Sequence, residues 1–561
     1  MKNPDFLSEI DVIKKLNISK ATLNNWVKQG RLIYNKKMGF DAEYINNYHK
    51  QILKGNGKLN SRANKKFSNK TFIPLEYISI EKNYEDIEKI LSISNNLDLV
   101  LEEILVYTAY RILELKGFLV IRDDCINFVN EGLEQDIKEI FPDFKFNKHT
   151  YEKFLWLKGE FQNDFLGALY QSIKNEGEKS SGGSYYTPKS LVQNIVKDIV
   201  TPSSKVLDPC CGTGQFLITA GKIIKSPENI CGFDIDKIAV GIARVNIHLI
   251  YKDKNFRARI FYKNTLSDEE KSLFNSNKKE LFDVVITNPP WGASFDKNER
   301  NHYKKIFPDI STAESFSYFL VKGLDFLKKG GELVYILPES FLYVRKHNDI
   351  RRYLLKNASI VAICHLGRIF KGVFSPVIRL DIKKEILPNN KIFSKDNYGE
   401  YTTKQSLLLE GESYKFNVFL SEQDRDIIEK IYAMQHISLK NNALWGLGIV
   451  TGDNKKYITN RRMNNKEPIV KGSDVNKYTL SKIKNFISFE PNKFQQVAPI
   501  DIYRIEEKLI YKFISKKLIF AYDNKGLLTL NSANILIPQI KDYPIKTILA
   551  LLNSSLYQYL F

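Results

Sequence analysis

The stretch "KVLDPCCGTGQF", residues 205–216, decides the fold, because a short apolar run leads straight into a turn with two glycines. The apolar run predicts a buried strand, and Gly212 and Gly214 permit a sharp turn into the helical pattern that follows. Similar runs, separated by helical patterns, are "NICGFDID" (229–236), "DVVITNPP" (283–290), "GGELVYILPES" (330–340) and "ASIVAICHLG" (358–367). This alternation predicts an α/β domain with a mostly parallel sheet, whose ligands bind at the carboxyl ends of the strands.

Polar residues follow two of these strands. Asp208 ends the first strand before the glycines, and Asp234 ends the next one, 26 residues further on. The glycine turn lacks the Lys-Ser/Thr pair of a phosphate-binding loop, and Leu217 occupies the place of the third glycine of a dinucleotide fingerprint. An acid at the position of Asp234 can bind both hydroxyls of a ribose. These residues alone predict a nucleoside cofactor and leave NAD open.

A third predicted strand is followed by "NPPW" (288–291), and this motif narrows the choice of cofactor. With "YYTP" (185–188), "DPCCGTGQF" (208–216) and "FDID" (233–236), the chain resembles the gamma-ordered DNA adenine-N6 methyltransferases, which use S-adenosylmethionine. The segment 164–188 also resembles the join between helical and catalytic domains in type I modification subunits. The resemblance spans about residues 160–380 strongly. It implies a Rossmann-like class I methyltransferase domain, with N-terminal helical domains and a C-terminal α+β target-recognition domain.

The resemblance assigns chemistry to the NPPW turn. An adenine amino group is a poor nucleophile, because its lone pair is delocalised into the ring. Acceptors on Asn288 and the Pro289 carbonyl would polarise the amine, and Pro289 and Pro290 would hold the turn rigid. Trp291 would stack on a base that has flipped out of the duplex. Phe370 is expected to be a second stacking aromatic, with Phe374 as the competing assignment; no metal is required.

The cofactor set also follows from the resemblance. Tyr186 and Thr187 would contact the methionine part of S-adenosylmethionine, and Asp208 with the glycine loop its amino-acid end. Asp234 would bind the ribose. Asn264 stands where the family usually has an aspartate that binds the cofactor's adenine, and an asparagine can both donate and accept. The full expected set is Tyr186, Thr187, Asp208, Gly212, Gly214, Phe216, Asp234, Asn264 and Asn288.

The N-terminal region predicts a separate DNA-binding module over residues 1–56. Ile10, Ile13 and Leu16 suit one short helix, and Ser19 is a suitable N-cap for a second. The pattern resembles winged helix-turn-helix domains of the MerR or excisionase type, in which the second helix enters the major groove. A helical pair used for protein contacts is the alternative. The residues expected to face DNA are Lys20, Thr22, Asn24, Asn25 and Lys28.

Charge divides the rest of the chain. A basic linker (57–75) leads to an acidic helical domain (76–178), which contains 21 acidic and 11 basic side chains. The methyltransferase domain is expected at 179–385. Residues 386–561 are expected to form the target-recognition domain. The abrupt end of this region leaves three alternatives open: a truncated chain, a degraded gene, or a subunit that a separate specificity protein completes. Basic residues interleaved with aromatics there suit a surface that follows phosphates and contacts bases.

Composition limits the class of protein. The net charge of +20 favours double-stranded DNA as partner, and 43% hydrophobic residues are ordinary for a globular protein. With neither a signal peptide nor a membrane-spanning run recognisable, the chain is expected in the cytoplasm. The five cysteines lack CxxC spacing, so neither a zinc site nor a disulfide framework is indicated. A specificity or restriction subunit is a candidate partner.

These patterns predict a site-specific DNA adenine-N6 methyltransferase of a restriction-modification or defence system. The alternatives are an RNA or protein amino-methyltransferase and a DNA-binding regulator with a decayed methyltransferase fold. A fused nuclease is a further one, with Glu114, Lys116 and Asp98 as its candidate residues, although these lie in a helical pattern. The recognition sequence, the oligomeric state and the need for a partner subunit do not follow from the sequence.

Overall fold

A computed structural model gives the structure of the chain. It divides into two compact units, Met1–Ser421 and Glu422–Phe561. The described residues are 6–16, 23, 27, 32, 34, 39–46, 73, 78–97, 99–122, 125–174, 187–267, 281–292, 295–312, 314–370, 375–410 and 413–561.

The N-terminal segment contains two short strands and one helix: β1 (Phe6–Leu7), α1 (Glu9–Leu16) and β2 (Phe40–Asp41). Ser8 and Asp11 cap α1 reciprocally, since the backbone N–H of each donates to the side chain of the other at 3.1 and 3.2 Å. β1 pairs antiparallel with β2. The predicted first helix is confirmed, whereas most of the second predicted helix lies outside the described residues.

A mainly helical region follows, and its core also includes Ala239, Ile242 and Val245 from later in the chain. A two-stranded antiparallel hairpin interrupts the helices that the sequence predicts. The elements are α2 (Glu81–Leu97), α3 (Leu101–Leu115), β3 (Leu119–Arg122), β4 (Cys125–Phe128), α4 (Glu131–Ile140), α5 (Lys148–Glu152) and α6 (Phe165–Ile173). Glu114, one of the candidate nuclease residues, lies in α3 and accepts hydrogen bonds from Arg111 and Tyr151. The candidate partner acid, Asp98, lies outside the described residues.

A nine-stranded sheet forms the centre of the first unit. Its elements are α7 (Lys189–Ile199), β5 (Val206–Asp208), α8 (Gln215–Gly221), β6 (Ile230–Asp234), α9 (Lys237–Ile250), β7 (Ile260–Tyr262), β8 (Phe282–Thr287), α10 (Lys297–Ile306), α11 (Ser315–Phe326), β9 (Leu327–Pro338), α12 (Asn348–Asn357), β10 (Ser359–Gly367), β11 (Val377–Lys383), β12 (Lys391–Lys395) and β13 (Glu400–Lys404). Both faces of the sheet are covered. The neighbouring residues Val206 and Leu207 of β5 point to opposite faces, and each is buried in a different hydrophobic core.

The strand order is β13-β12-β10-β11-β9-β8-β5-β6-β7. The five strands from β7 to β9 are parallel, and β11 runs antiparallel to both of its neighbours. The predicted, mostly parallel α/β fold is therefore confirmed. The order reverses between β5 and β8, and in open sheets such a switch point is where ligands bind.

The first unit extends beyond the expected domain boundary at residue 385. β12 pairs with β10 and β13 pairs with β12, so both strands continue the same sheet, and the compact unit ends at Ser421. The short strands after β11 have alternating buried and exposed residues. This pattern indicates strands, but it does not indicate which sheet they join.

The second unit combines strands and helices, as predicted for an α+β domain. Its two four-stranded sheets have the orders β14-β21-β18-β19 and β15-β17-β16-β20. The elements are α13 (Glu422–Ala433), β14 (Ala443–Gly446), α14 (Asn454–Tyr457), β15 (Ile458–Thr459), β16 (Glu467–Val470), β17 (Phe486–Ile487), α15 (Ile500–Arg504), β18 (Lys508–Lys512), β19 (Phe520–Asp523), β20 (Leu528–Thr529), β21 (Ala533–Pro538), α16 (Ile545–Leu552) and α17 (Ser555–Leu560). Of the helices in the described part of the chain, none is long and apolar enough to cross a lipid bilayer.

Candidate active site

A cavity of about 330 Å³ opens at the carboxyl ends of β5, β6, β7 and β8, beside the switch point of the sheet. Eight residues predicted from the sequence line it: Thr187, Asp208, Gly212, Phe216, Asp234, Asn264, Asn288 and Pro290. The strand-end rule therefore brings the predicted polar residues together in one cavity. Tyr186 of the cofactor set lies outside the described residues, as do Phe374 and the five candidate DNA contacts in the N-terminal segment.

The glycine loop after β5 requires glycine at one position for two reasons. Gly214 has φ of +89°, and a Cβ there would lie 3.1 Å from the Cβ of Ala243 on α9. The loop is fixed to the neighbouring strand, because the N–H of Cys211 donates to the carbonyl of Phe233 at 2.9 Å. The N–H of Gly212 donates to Asp234 at 2.7 Å. The loops after β5 and β6 therefore form one hydrogen-bonded wall.

Two buried carboxylates line this wall. Asp208 accepts hydrogen bonds from the Thr287 hydroxyl at 2.6 Å and from the N–H of Cys210 at 3.1 Å. Burial nevertheless raises the pKa of Asp208 to about 7. Burial also raises the pKa of Asp234, although the N–H groups of Gly212 and Asp236 donate to it and oppose the shift. Both groups would gain from a positively charged or hydrogen-bond-donating ligand.

The NPPW turn places Asn288 on the opposite side of the switch point, directly after β8. The Asn288 Nδ2 donates to the Thr187 hydroxyl at 3.2 Å, which sets the rotation of the amide. Pro289 is buried, and the Ser315 hydroxyl donates to the Pro290 carbonyl. The turn is therefore held from both sides, and its asparagine shares the cavity with the two carboxylates.

The two aromatics expected to bind a base contact each other. The rings of Trp291 and Phe370 meet edge to face, with centroids 5.2 Å apart, and the indole N–H of Trp291 donates to the Ile336 carbonyl at 3.3 Å. Trp291 is half-buried, whereas Phe370 is only 5% exposed and packs in the core beside the sheet. The role of Phe370 as a stacking residue stays a prediction.

Asn264 has polar contacts within the protein. Its Oδ1 accepts from the N–H of Leu266 at 3.0 Å, and its Nδ2 donates to the Tyr303 hydroxyl at 3.3 Å. Tyr303 lies on α10, which follows the NPPW turn, and Phe295 and Glu299 line the same cavity. Glu299 and Tyr303 are four residues apart on α10 and so lie on one side of it, a signal that the sequence interpretation missed, whereas Phe295 precedes the helix. Gln171 on α6 is a further lining residue that it missed.

The cavity also fits an adenine-containing cofactor. Ile235 directly follows Asp234 and lines the cavity, and this large apolar side chain is 70% exposed. An apolar surface beside an acid at the end of the second strand of the domain is what a nucleoside would cover.

Comparisons with known proteins agree with this geometry. Residues 161–444 match the family model described as N-6 DNA Methylase, and residues 467–561 match the TaqI-like C-terminal specificity domain. The type II methyltransferase M.VspI of Vibrio sp. (strain 343) is 26% identical over 83% of this chain and 95% of its own length. The methylase subunit of the type I restriction enzyme StySPI of Salmonella potsdam is 29% identical, over 39% of this chain and 44% of its own length.

A solved structure shares the fold. The type IIL restriction-modification enzyme MmeI, in complex with DNA, aligns with a TM-score of 0.53 over 74% of this chain and 70% of its own, at 11% identity. The family match covers half of the present chain and includes every strand that borders the cavity. The chain therefore belongs to the N-6 DNA methylase family, and it is an adenine-specific DNA methyltransferase that takes its methyl group from S-adenosylmethionine.

Proposed function

We propose that the chain methylates N6 of an adenine rotated out of duplex DNA, as the modification enzyme of a restriction-modification system. Asn288 carries the proposal. It lines the same cavity as Asp208 and Asp234, and its amide is oriented by Thr187. The target amine must approach the methyl group that the cofactor carries, so the residue that binds the amine has to belong to the wall of the cofactor cavity.

Asn288 and Pro289 would act on the amine as hydrogen-bond acceptors. Because Nδ2 of Asn288 donates to Thr187, the amide oxygen would be the atom of this side chain that accepts an N6 proton. The Pro289 carbonyl is the second acceptor, in a direction that the proline ring restricts beforehand. Acceptors fixed in place before the reaction draw electron density toward N6 without a cost of reorganisation.

When bound, S-adenosylmethionine would supply an electrophilic methyl group on a sulfonium centre. N6 would form the new bond to carbon as the carbon–sulfur bond breaks, leaving S-adenosylhomocysteine, and would pass one proton to solvent. Asn288 and Pro289 would stabilise the positive charge that develops on N6 through the two N–H groups they accept from. Asp234 and Asp208 hold the ribose and the amino-acid end, which keeps the reacting atoms aligned.

Trp291 is the proposed stacking surface for the flipped adenine. Phe370 supports it edge-on, and the backbone of β9 holds its indole N–H. A base that leaves the duplex loses its stacking partners, and an aromatic face restores part of that energy. The gamma order of the motifs and the helix-turn-helix of the N-terminal segment belong to this proposal as well.

Residues 467–561 would select the site on DNA, as their similarity to a specificity domain suggests. The long alignment with a type II methyltransferase favours a chain that modifies DNA by itself, with restriction carried out by a separate subunit or enzyme. Lys20, Thr22, Asn24, Asn25 and Lys28 remain the proposed contacts of the N-terminal segment with DNA.

The test is transfer of a tritiated methyl group from S-adenosylmethionine to a set of duplex DNAs. Replacing Asn288 with Ala removes one acceptor, and we expect kcat to fall about 100- to 1000-fold. Asn357→Ala, at an exposed position of α12, is the matched control and should keep full activity. Full activity of Asn288→Ala would contradict the mechanism, and transfer to RNA in preference to DNA would contradict the substrate.

A further inference from the structure

Helix α6 lies at the start of the N-6 DNA methylase match and packs in the core of the helical region, and its first turn is tied to the glycine loop. Asp164 caps this helix, accepting from the N–H of Gly167 at 3.0 Å. The same carboxylate accepts from the Thr213 hydroxyl at 3.1 Å and from the Asn246 amide at 2.9 Å. Asp164 is 7% exposed. Since Thr213 lies between the two loop glycines, one buried carboxylate joins α6 to the loop that borders the cavity.

The other end of α6 is tied to the loop after β6. The hydroxyl of Tyr170 and the ammonium of Lys174 both donate to Asp236, the latter at 2.6 Å. Burial would raise the pKa of Asp236, but the bonds from Lys174 and Tyr170 outweigh it and lower the pKa. The N–H of Asp236 in turn donates to Asp234 at 2.9 Å. Both loops that carry expected cofactor residues are thus fastened to the same helix.

Gln171 lies on this helix beside Tyr170 and is one of the residues that line the cavity. The strand order assigns it a part of the cofactor. With the ribose bound at Asp234 on β6 and the methyl group toward Asn288 on β8, the adenine would extend toward β7. The methionine moiety would then lie near the β5 loop, to which α6 is anchored through Thr213. A glutamine amide can donate to a carboxylate and accept from an ammonium, the two groups of that moiety.

Given the proposed function, we propose that α6 is a wall of the cofactor site. Gln171 binds the methionine moiety of S-adenosylmethionine, and Asp164 is a positioning residue that holds α6 against the glycine loop. Cofactor affinity therefore depends on the docking of the helical region at this point of contact.

The first experiment combines variants with cofactor fragments, using the full chain. Inhibition constants are measured for S-adenosylhomocysteine and for 5′-methylthioadenosine, which lacks the amino-acid group. Gln171→Ala should weaken S-adenosylhomocysteine about tenfold, the effect of losing a hydrogen bond to a charged group, and leave 5′-methylthioadenosine unchanged. Equal weakening of both ligands would place Gln171 at the nucleoside and overturn the assignment, as would no weakening of either.

The second experiment tests positioning. Asp164→Asn keeps the shape of the side chain, and Thr213→Val removes the hydroxyl from the other side of the same contact. Each should raise the KM for S-adenosylmethionine about fivefold to tenfold while the KM for DNA stays constant, and the double variant should be no worse than Asp164→Asn alone. Additive effects in the double variant, or a parallel rise of the KM for DNA, would overturn the positioning role.

Asp136→Asn is the matched control. Asp136 also joins the helical region to the catalytic domain, through the N–H of Ala258 and the side chains of His248 and Arg257, which do not line the cavity. The control variant should lower thermal stability and keep the KM for S-adenosylmethionine. An equal rise of that KM in Asp136→Asn would overturn local positioning in favour of general docking. Failure of the proposed function is a separate result, because the wild-type chain would then transfer no methyl group to DNA.

Discussion

Buried carboxylates at two places in the first unit are held in opposite ways. At the cavity, Asp208 and Asp234 accept hydrogen bonds from backbone N–H groups and a hydroxyl, and burial raises the pKa of both. On α4, Asp136 accepts from His248 at 2.8 Å and from Arg257 at 2.6 Å. Burial would raise its pKa too, but these bonds and the charge of Arg244 outweigh burial, and the pKa of Asp136 is lowered.

The difference teaches how to distinguish a carboxylate that stabilises the fold from one that serves a ligand. Asp136 already has its positive partners, so its ionised form stabilises the docking of α4 against α9. Asp208 is ionised only at a cost, because its donors are neutral. A ligand that brings an ammonium or sulfonium group removes that cost, and perturbed groups of this kind concentrate at functional sites.

The largest effect is expected at Asp136, whose carboxylate is paired with arginine side chains. Asp136→Ala would remove the carboxylate partner of the buried Arg244 and His248 side chains and leave the exposed Arg257 to pair with Glu139. We expect the free energy of unfolding to fall by about 3–5 kcal/mol. The measurement is urea denaturation at neutral pH. Glu139→Ala is the control: Glu139 lies on the same helix and pairs with the same arginines, but it is 55% exposed. Its loss should cost about 0–1 kcal/mol. Equal losses would break the comparison.

At the cavity, the expected effect is on the affinity for S-adenosylmethionine, which should depend on pH through Asp208. The folded-state pKa of Asp208, about 7, lies above its unfolded value. The protonated form therefore stabilises the ligand-free fold at low pH, and this contribution is lost as the pH rises through about 7. If the cofactor's ammonium pairs with ionised Asp208, binding releases a proton. The affinity for S-adenosylmethionine should then rise about tenfold per unit from about pH 5 to pH 7 and level off above.

Calorimetry across this pH range measures the effect. Asp208→Asn should bind more weakly at pH 8, with little dependence on pH. A dissociation constant of the wild type that stays constant from pH 5 to pH 7 would contradict the role of Asp208, and it would remove the distinction between the cavity carboxylates and Asp136.

Local rules were sufficient to predict one half of this comparison. Asp208, Asp234 and Asn288 each follow a short apolar run, and the carboxyl ends of parallel strands meet at one edge of a sheet. Each position can be read within a window of ten residues. The same reasoning predicted the central parallel strands of the sheet, because alternating strand and helix patterns are local signals.

The other half depends on contacts between distant segments. Asp136 meets Arg257 across more than a hundred residues, and Asp164 meets Thr213 across 49. Such pairs depend on how α4 and α6 pack against the rest of the unit. The periodicity of either segment does not predict that packing. The edge-on contact of Phe370 with Trp291 is of the same kind. The sequence pointed to both rings, but only the packing around β9 and β10 sets their mutual orientation.

The smallest expected effect sharpens the comparison most directly. The hydroxyl of Thr287 donates to Asp208 at 2.6 Å and lowers the pKa that burial raises. Thr287→Val removes this donor at nearly constant volume, so the pKa of Asp208 should rise further. The midpoint of the pH profile for cofactor binding should move up by about one unit, while affinity above pH 8.5 changes little. Thr287→Ser keeps the hydroxyl and should leave the midpoint in place. If both variants shift the midpoint equally, packing around Thr287, and not its hydrogen bond, controls the ionisation of Asp208. The neutral donors would then not explain why the cavity carboxylates differ from Asp136.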